Sequence, residues 1–324
     1  MRRVWPWLRL LVAVGILVAL GVRLGTHAFL DGLRAVNGWT IAAALGIGLL
    51  TTVLSAWRWV VIARALGLPL TLGKAVGDYY RGLLLNSVLP AGVLGDVDRA
   101  VHHGKASGDV GRGVRAVVFE RFAGQVVLIS VGIAVLLTQP VLAVDLVPNT
   151  GVLVAILAGL ALVAVVAARS AKVRGALATT WADARVGLFS RHAAPRVAVL
   201  SAATLAGHVA LFLVSARAAG STASVAQLVP LIVLALLVMG LPVNIGGFGP
   251  REAFLAVAFG AAGLGAAQGL TTGVVYGVLA MVAALPGVVV LLRGRTSRVE
   301  PVEEVQVLPE RVGQPREQGL ALAG

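Results

Sequence analysis

Residues 240–252 read Gly-Leu-Pro-Val-Asn-Ile-Gly-Gly-Phe-Gly-Pro-Arg-Glu. The flanking stretches, 225–239 and 253–267, are apolar and carry no charge. A proline removes a backbone donor and clashes one turn back, and each glycine costs a helix about 1 kcal/mol, so this run cannot stay helical. In lipid, backbone groups freed by a break find no water. The break must therefore be buried in protein or line a wet cavity. Pro242 starts the interruption, and Asn244 offers side-chain partners to freed backbone groups or to a headgroup. Gly246, Gly247 and Gly249 permit close backbone approach, and a helix N-terminus beside them attracts an anion. Arg251 brings a forked donor suited to phosphate, and Glu252 brings a counter-charge. Broken helices with ionisable groups at the break are how transporters build substrate sites.

A second interruption lies at 82–94, where Asn86, Pro90 and Gly92 break a short apolar piece. It is too short to cross a bilayer, which takes roughly 20 apolar residues, and reads as a re-entrant segment. The two interruptions align without a gap. Leu89-Pro90 is followed by Gly95 and Arg99, and Leu241-Pro242 by Gly247 and Arg251, at the same offsets. Breaks at matching places in two halves point to a midplane site. An internal repeat and a coincidence of Gly and Leu usage both account for the match. Helix-break roles fall to Pro90, Gly95 and Pro242.

Glu120 and Arg121 sit inside a third apolar run, 114–137. A charge in such a run costs roughly 2.5–3.5 kcal/mol to insert and calls for a partner. Glu120 suits a pair with Arg99 or Arg251, or proton carriage; a structural ion pair between helices is the plainer reading. Arg99 suits a site or an anchor at the cytoplasmic interface equally, whereas Arg251, between two apolar runs, suits a site better than an anchor. Asp96 and Asp98 suit helix N-caps as well as a site. Asn86 suits backbone satisfaction or headgroup contact. His208, within the run 197–214, reads as a packed histidine. The candidate substrate-binding set is thus Asn86, Asp96, Arg99, Glu120, Arg121, Asn244, Gly246, Gly247, Gly249, Arg251 and Glu252.

Other chemistry finds little support. The chain has no Cys, hence no disulfide, thiolate ligand or thiol nucleophile. No His, Asp or Glu spacing suggests a metal site. No phosphate-binding loop of the Gly-x4-Gly-Lys-Ser/Thr type occurs. We expect no cofactor, no catalytic residue and no enzymatic activity.

The elements that must hold these residues are membrane helices. Of the 324 residues, 58% are hydrophobic and 13% charged, and the mean hydropathy is +0.93. A soluble domain carries about a quarter charged residues. The formal net charge of +13 reports topology, not nucleic-acid binding. The expected fold is an all-α polytopic membrane protein of about eight transmembrane helices with one or two re-entrant or broken segments. Spans are expected at 1–22, 39–62, 114–137, 151–168, 197–214, 225–241, 253–267 and 271–292. The pair at 225–267 is short enough to be a re-entrant hairpin instead. Lys and Arg concentrate at 63–115 and 169–196, which places both regions and both termini in the cytoplasm. Residues 1–293 form the membrane domain, and the proline-bearing end, 294–324, reads as a disordered cytoplasmic tail.

Three blocks together resemble the lysylphosphatidylglycerol synthase transmembrane, or flippase-like, family. They are Asn86 to Arg99, Glu120-Arg121-Phe-Ala-Gly124, and Leu241 to Glu252. The likeness covers roughly residues 10–293. Leu94 stands where relatives often have Gly, and Tyr276-Gly277 where many have an Arg in the last span. The resemblance implies movement of a polar-headed lipid between leaflets of the plasma membrane. The ligand would be a phospholipid or a polyprenyl-linked headgroup. The larger relatives join this domain to an aminoacyl transferase, so a lipid-synthesising enzyme is an expected partner. The alternative is an accessory membrane protein that binds a lipid-linked intermediate, or a partner enzyme, without moving it.

Overall fold

A computed structural model describes residues 26–88, 93–138, 171–240 and 249–296. Every regular element among them is a helix. In chain order these are α1 (Thr26–Arg34), α2 (Gly38–Ala65), α3 (Leu72–Val88), α4 (Leu94–Ala106), α5 (Val110–Thr138) and α6 (Ala171–Gly187). They continue with α7 (Ala193–Ala218), α8 (Val225–Met239), α9 (Pro250–Ala261), α10 (Ala266–Ala284) and α11 (Pro286–Thr296). Four stretches are long and apolar enough to cross a membrane: Gly38–Ala65, Val110–Thr138, Ala193–Ala218 and Ala266–Leu292. They correspond to the expected second, third, fifth and eighth spans. The expected first and fourth spans, and nearly all of the expected tail, fall outside the described residues.

The expected sixth and seventh spans are shorter than spans. Helix α8 has 15 residues and α9 has 12, against the roughly 20 that a crossing requires. Helix α8 packs against α9, and the two form a hairpin. Their outer ends lie together. Gln268, at the start of α10, donates to the carbonyl of Ala219, just past α7, at 2.8 Å. The chain thus leaves α7, passes through α8 and α9, and enters α10 at the end it started from. Two full spans would return the chain in the same way, so it is the lengths of α8 and α9 that favour the hairpin reading of 225–267.

Helices α3 and α4 make the matching hairpin at the opposite end. Arg64 Nε, on the last turn of α2, donates to the Leu70 carbonyl at 3.0 Å, just ahead of α3. His103, on the last turns of α4, packs edge-on against Trp59 of α2 with ring centroids 5.3 Å apart. Arg115, near the start of α5, reaches Asp183 of α6 at 2.6 Å. The ends of α2 and α4 and the starts of α3, α5 and α7 thus gather together, around a core of Ile62, Leu66, Ala75, Ala184, Leu188 and Val197.

Helices α2 and α7 run antiparallel. Arg58 of α2 faces Ser201 of α7, and Thr51 of α2 abuts Gly207 of α7 so closely that an added Cβ would lie 2.3 Å away. The unit α2–α5 and the unit α7–α10 therefore each consist of a long helix, a short hairpin and a long helix, and they point in opposite directions. Inverted repeats of this kind place a site at the repeat interface. One face of α5 presents Val118, Phe122, Val126, Ile129 and Ile133 outward, as a lipid-facing span does.

Candidate functional site

Glu120 is fully buried in α5, and its two oxygens are held separately. Oε1 accepts from Arg58 Nε at 3.1 Å, from Arg58 Nη2, and from the Tyr79 hydroxyl at 3.3 Å. Oε2 accepts from Arg99 Nη2 at 2.6 Å. A buried carboxylate is tolerable only when its lone pairs are satisfied in this way. The expected partner Arg99 is present. Arg58 was legible only as a cation near the end of the second span.

Asp96 extends the cluster. Its Oδ1 accepts from Arg99 Nε at 2.9 Å and from Arg121 Nη2 at 2.8 Å, and its Oδ2 from Asn86 Nδ2 at 3.3 Å. The N-cap reading is corrected: Val93 occupies the cap of α4 with no side-chain hydrogen bond, and Asp96 lies in the first turn. Asp98 pairs with Arg81 at 2.7 Å. Three guanidinium groups, Arg58, Arg99 and Arg121, thus share two carboxylates. One positive charge is left over.

Asn86 closes the first hairpin as its residue type suggests. Its Oδ1 accepts the backbone N–H of Gly95 at 2.8 Å. Gly95 itself belongs to α4, so its helix-break role is corrected. A Cβ there would lie 2.1 Å from the Gly82 carbonyl oxygen. Gly95 lets α3 and α4 touch backbone to backbone.

The second hairpin returns through Gly249, whose φ of 111° favours glycine. Pro250 opens α9, and Glu252 Oε2 accepts the Gly249 N–H at 2.7 Å, the acidic half of a capping box. Arg251 Nε donates to Glu252 Oε1 at 3.0 Å, and Nη2 donates to the same oxygen. Its guanidinium also lies 5.1 Å from the ring centroid of Tyr276, which stacks on Phe212 at 3.8 Å. Arg99 stands over Tyr79 at 4.5 Å in the same manner. Each hairpin thus carries, on its returning helix, a buried arginine held by a glutamate and a tyrosine.

Two cavities lie between the units. The first, about 240 Å³, is bordered by Thr51, Asn86, Ser87, His208, Met239 and Arg251, with Tyr276 beside them. The second, about 250 Å³, is bordered by Arg58, Arg121, Gln125, Ser201 and Thr204, and again by His208, Met239 and Tyr276. Those last three residues separate the cavities and join them. The inner ends of both hairpins, Asn86 and Arg251, therefore face one space. Glu120, Asp96 and Glu252 do not border it; they hold Arg58, Arg121 and Arg251, which do, while Arg99, also away from it, shares Glu120 and Asp96 with Arg58 and Arg121. His208, read as a packed residue, borders both cavities, and nothing in its local sequence sets it apart. Pro90, Pro242, Asn244, Gly246 and Gly247 lie outside the described residues.

Residues 7–287 match the family described as "Lysylphosphatidylglycerol synthase TM region". The chain belongs to this family. Comparison with curated proteins and with solved structures gave no match. Membership covers both hairpins and all four long helices, so the candidate site lies wholly within the family's domain. Within this domain, Tyr276 of the last long helix meets the Arg251 guanidinium. A multi-pass membrane protein of a family tied to lipid metabolism or translocation follows from these findings.

Proposed function

We propose that this protein is a flippase-like transporter that carries a phosphate-bearing lipid headgroup between leaflets of the plasma membrane. The hollow shared by the two hairpins carries this reading. It takes the headgroup while the acyl or polyprenyl tail stays in lipid. Arg58, Arg121 and Arg251 face the hollow, and the surplus positive charge of the first cluster suits a phosphate. Glu120, Asp96 and Glu252 balance those arginines when no headgroup is present. The site binds and releases without a covalent step.

We read the end of the molecule with Arg64, Lys74, Arg115, Arg185 and Arg196 as cytoplasmic, and propose that both termini lie on that side. A lipid-synthesising enzyme is the partner this activity calls for.

The test is leaflet exchange of a labelled anionic phospholipid in vesicles reconstituted with the purified chain. Exchange above the protein-free rate, abolished by Arg251→Ala in protein that still inserts and elutes as the native form, is the expected result. Unchanged exchange in Arg251→Ala removes the proposed site. Retention of labelled lipid without exchange makes the protein an accessory lipid binder.

A further inference from the structure

Two more cavities lie on the outer face of the antiparallel pair α2 and α7. One, of about 440 Å³, is bordered by Trp57, Arg64, His192 and Arg196. The other, of about 470 Å³, is bordered by Trp57, Arg196, Val199 and Ala203. Trp57 and Arg196 border both, so the two form one groove. It shares no bordering residue with the hollow between the hairpins.

The groove has two chemically distinct ends. The first gathers the Arg64 and Arg196 guanidinium groups, and no acidic side chain among the described residues borders either cavity. Arg64 Nε is spent on the Leu70 carbonyl at 3.0 Å, which fixes the side chain and leaves the rest of its fork facing outward. The second end is aliphatic and lies along two spans, with Val199 67% exposed. Trp57, half exposed at their junction, occupies the place an interfacial aromatic takes between hydrocarbon and headgroup. The basic end coincides with the end of the molecule read as cytoplasmic. The cytoplasmic leaflet is the one that holds anionic lipid. A fork of guanidinium donors without a carboxylate suits a phosphate.

We infer that this groove is a second lipid site, one that holds an anionic phospholipid of the cytoplasmic leaflet. The phosphate lies between Arg64 and Arg196, and an acyl chain lies along Val199 and Ala203. The lipid is resident, because the groove runs along the outside of the α2–α7 pair and does not open into the hollow.

The full chain, purified in detergent, is titrated with phosphatidylglycerol or phosphatidylcholine, and bound lipid is counted by native mass spectrometry. Two variants are compared with the native chain: Arg64→Gln with Arg196→Gln, which removes the basic end, and Ala203→Trp, which fills the apolar end and leaves the charge intact. The charge variant is expected to bind the first phosphatidylglycerol about tenfold more weakly and phosphatidylcholine as before. Ala203→Trp is expected to lose the same adduct. Native phosphatidylglycerol binding in either variant overturns the inference, as does an equal loss of both lipids in the charge variant. Because Arg251 and Glu120 are untouched, these outcomes do not depend on whether the chain exchanges lipid between leaflets.

Discussion

Asn86, at the inner end of the first hairpin, and Arg251, at the inner end of the second, border the same cavity. Neither hairpin alone could make that space, because each presents only one wall. The two cavities meet at His208, Met239 and Tyr276. Passage of a headgroup from one cavity to the other must displace them. Met239→Trp is therefore expected to bring leaflet exchange down to the protein-free rate while thermal stability, followed by size exclusion after heating, stays near native. Native exchange in this variant would show that cargo does not pass this way.

The buried ion cluster predicts an asymmetry between its members. Glu120 is the shared acceptor of Arg58 and Arg99, so Glu120→Gln leaves two buried cations underpaired. Removing one partner of a buried pair costs about 3–5 kcal/mol. Glu120→Gln should lower the apparent melting temperature strongly, and Glu120→Asp less so. Arg121 borders the second cavity, with 46% of its side-chain surface not covered by protein, and its partner Asp96 keeps Arg99 when Arg121 is removed. Arg121→Gln should leave melting near native yet slow exchange. Equal destabilisation by Glu120→Gln and Arg121→Gln would contradict this division between a cluster that holds the fold and a group that meets cargo.

Helix contact in the first hairpin makes a sharper prediction, because two glycines face one another unequally. A Cβ on Gly95 would lie 2.1 Å from the Gly82 carbonyl oxygen, whereas one on Gly82 would lie 3.3 Å from the Gly95 carbonyl oxygen. Gly95→Ala must push α3 and α4 apart, at about 1–3 kcal/mol for overpacking. The same shift breaks the Asn86 hydrogen bond to the Gly95 N–H. Gly82→Ala needs only a small adjustment and should be nearly silent. Melting of the two variants in one detergent checks the order.

Much of this architecture was legible in the chain. Four long apolar runs became four long helices, since nothing but a helix satisfies the backbone of such a run in lipid. The two Gly- and Pro-interrupted stretches fall between α3 and α4 and between α8 and α9; their matching offsets, open to a repeat or a coincidence, rest on Pro90, Pro242 and Gly247, outside the described residues. Arg99 was one of the two partners open to Glu120, since a charge in an apolar run has few candidates, and of the two it is the one Glu120 takes. Arg58 and His208 were not legible as site residues. Each lies on a span whose neighbours look like ordinary core, and their position follows from how α2 and α7 cross, which local spacing does not record. The pair at 225–267 was ambiguous for a different reason: 15 and 12 residues fall between the length of a span and that of a buried hairpin. The bounds of the two helices, Val225–Met239 and Pro250–Ala261, decide between them, because both readings return the chain to the end it left.

That distinction has a direct test, because the chain contains no cysteine. Single cysteines at Thr71, Ala106, Thr222 and Ala262, all exposed, flank the two hairpins at their outer ends. If each hairpin enters and leaves from one side, Thr71→Cys and Ala106→Cys react with a membrane-impermeant maleimide from one side. Thr222→Cys and Ala262→Cys then react from the other. If α8 and α9 instead each crossed the membrane, a cysteine at the exposed Gly240, at their inner end, would label from the side opposite to Thr222→Cys and Ala262→Cys; in a hairpin it labels from neither side. The same logic applies to α3 and α4 through a cysteine at Ser87, at their inner end. The sidedness of the first pair also fixes the orientation of the whole molecule. Labelling of Thr71→Cys and Ala106→Cys from the cytoplasmic face is the expected outcome, since that end holds Arg64, Lys74, Arg115 and Arg185, and basic residues stay inside.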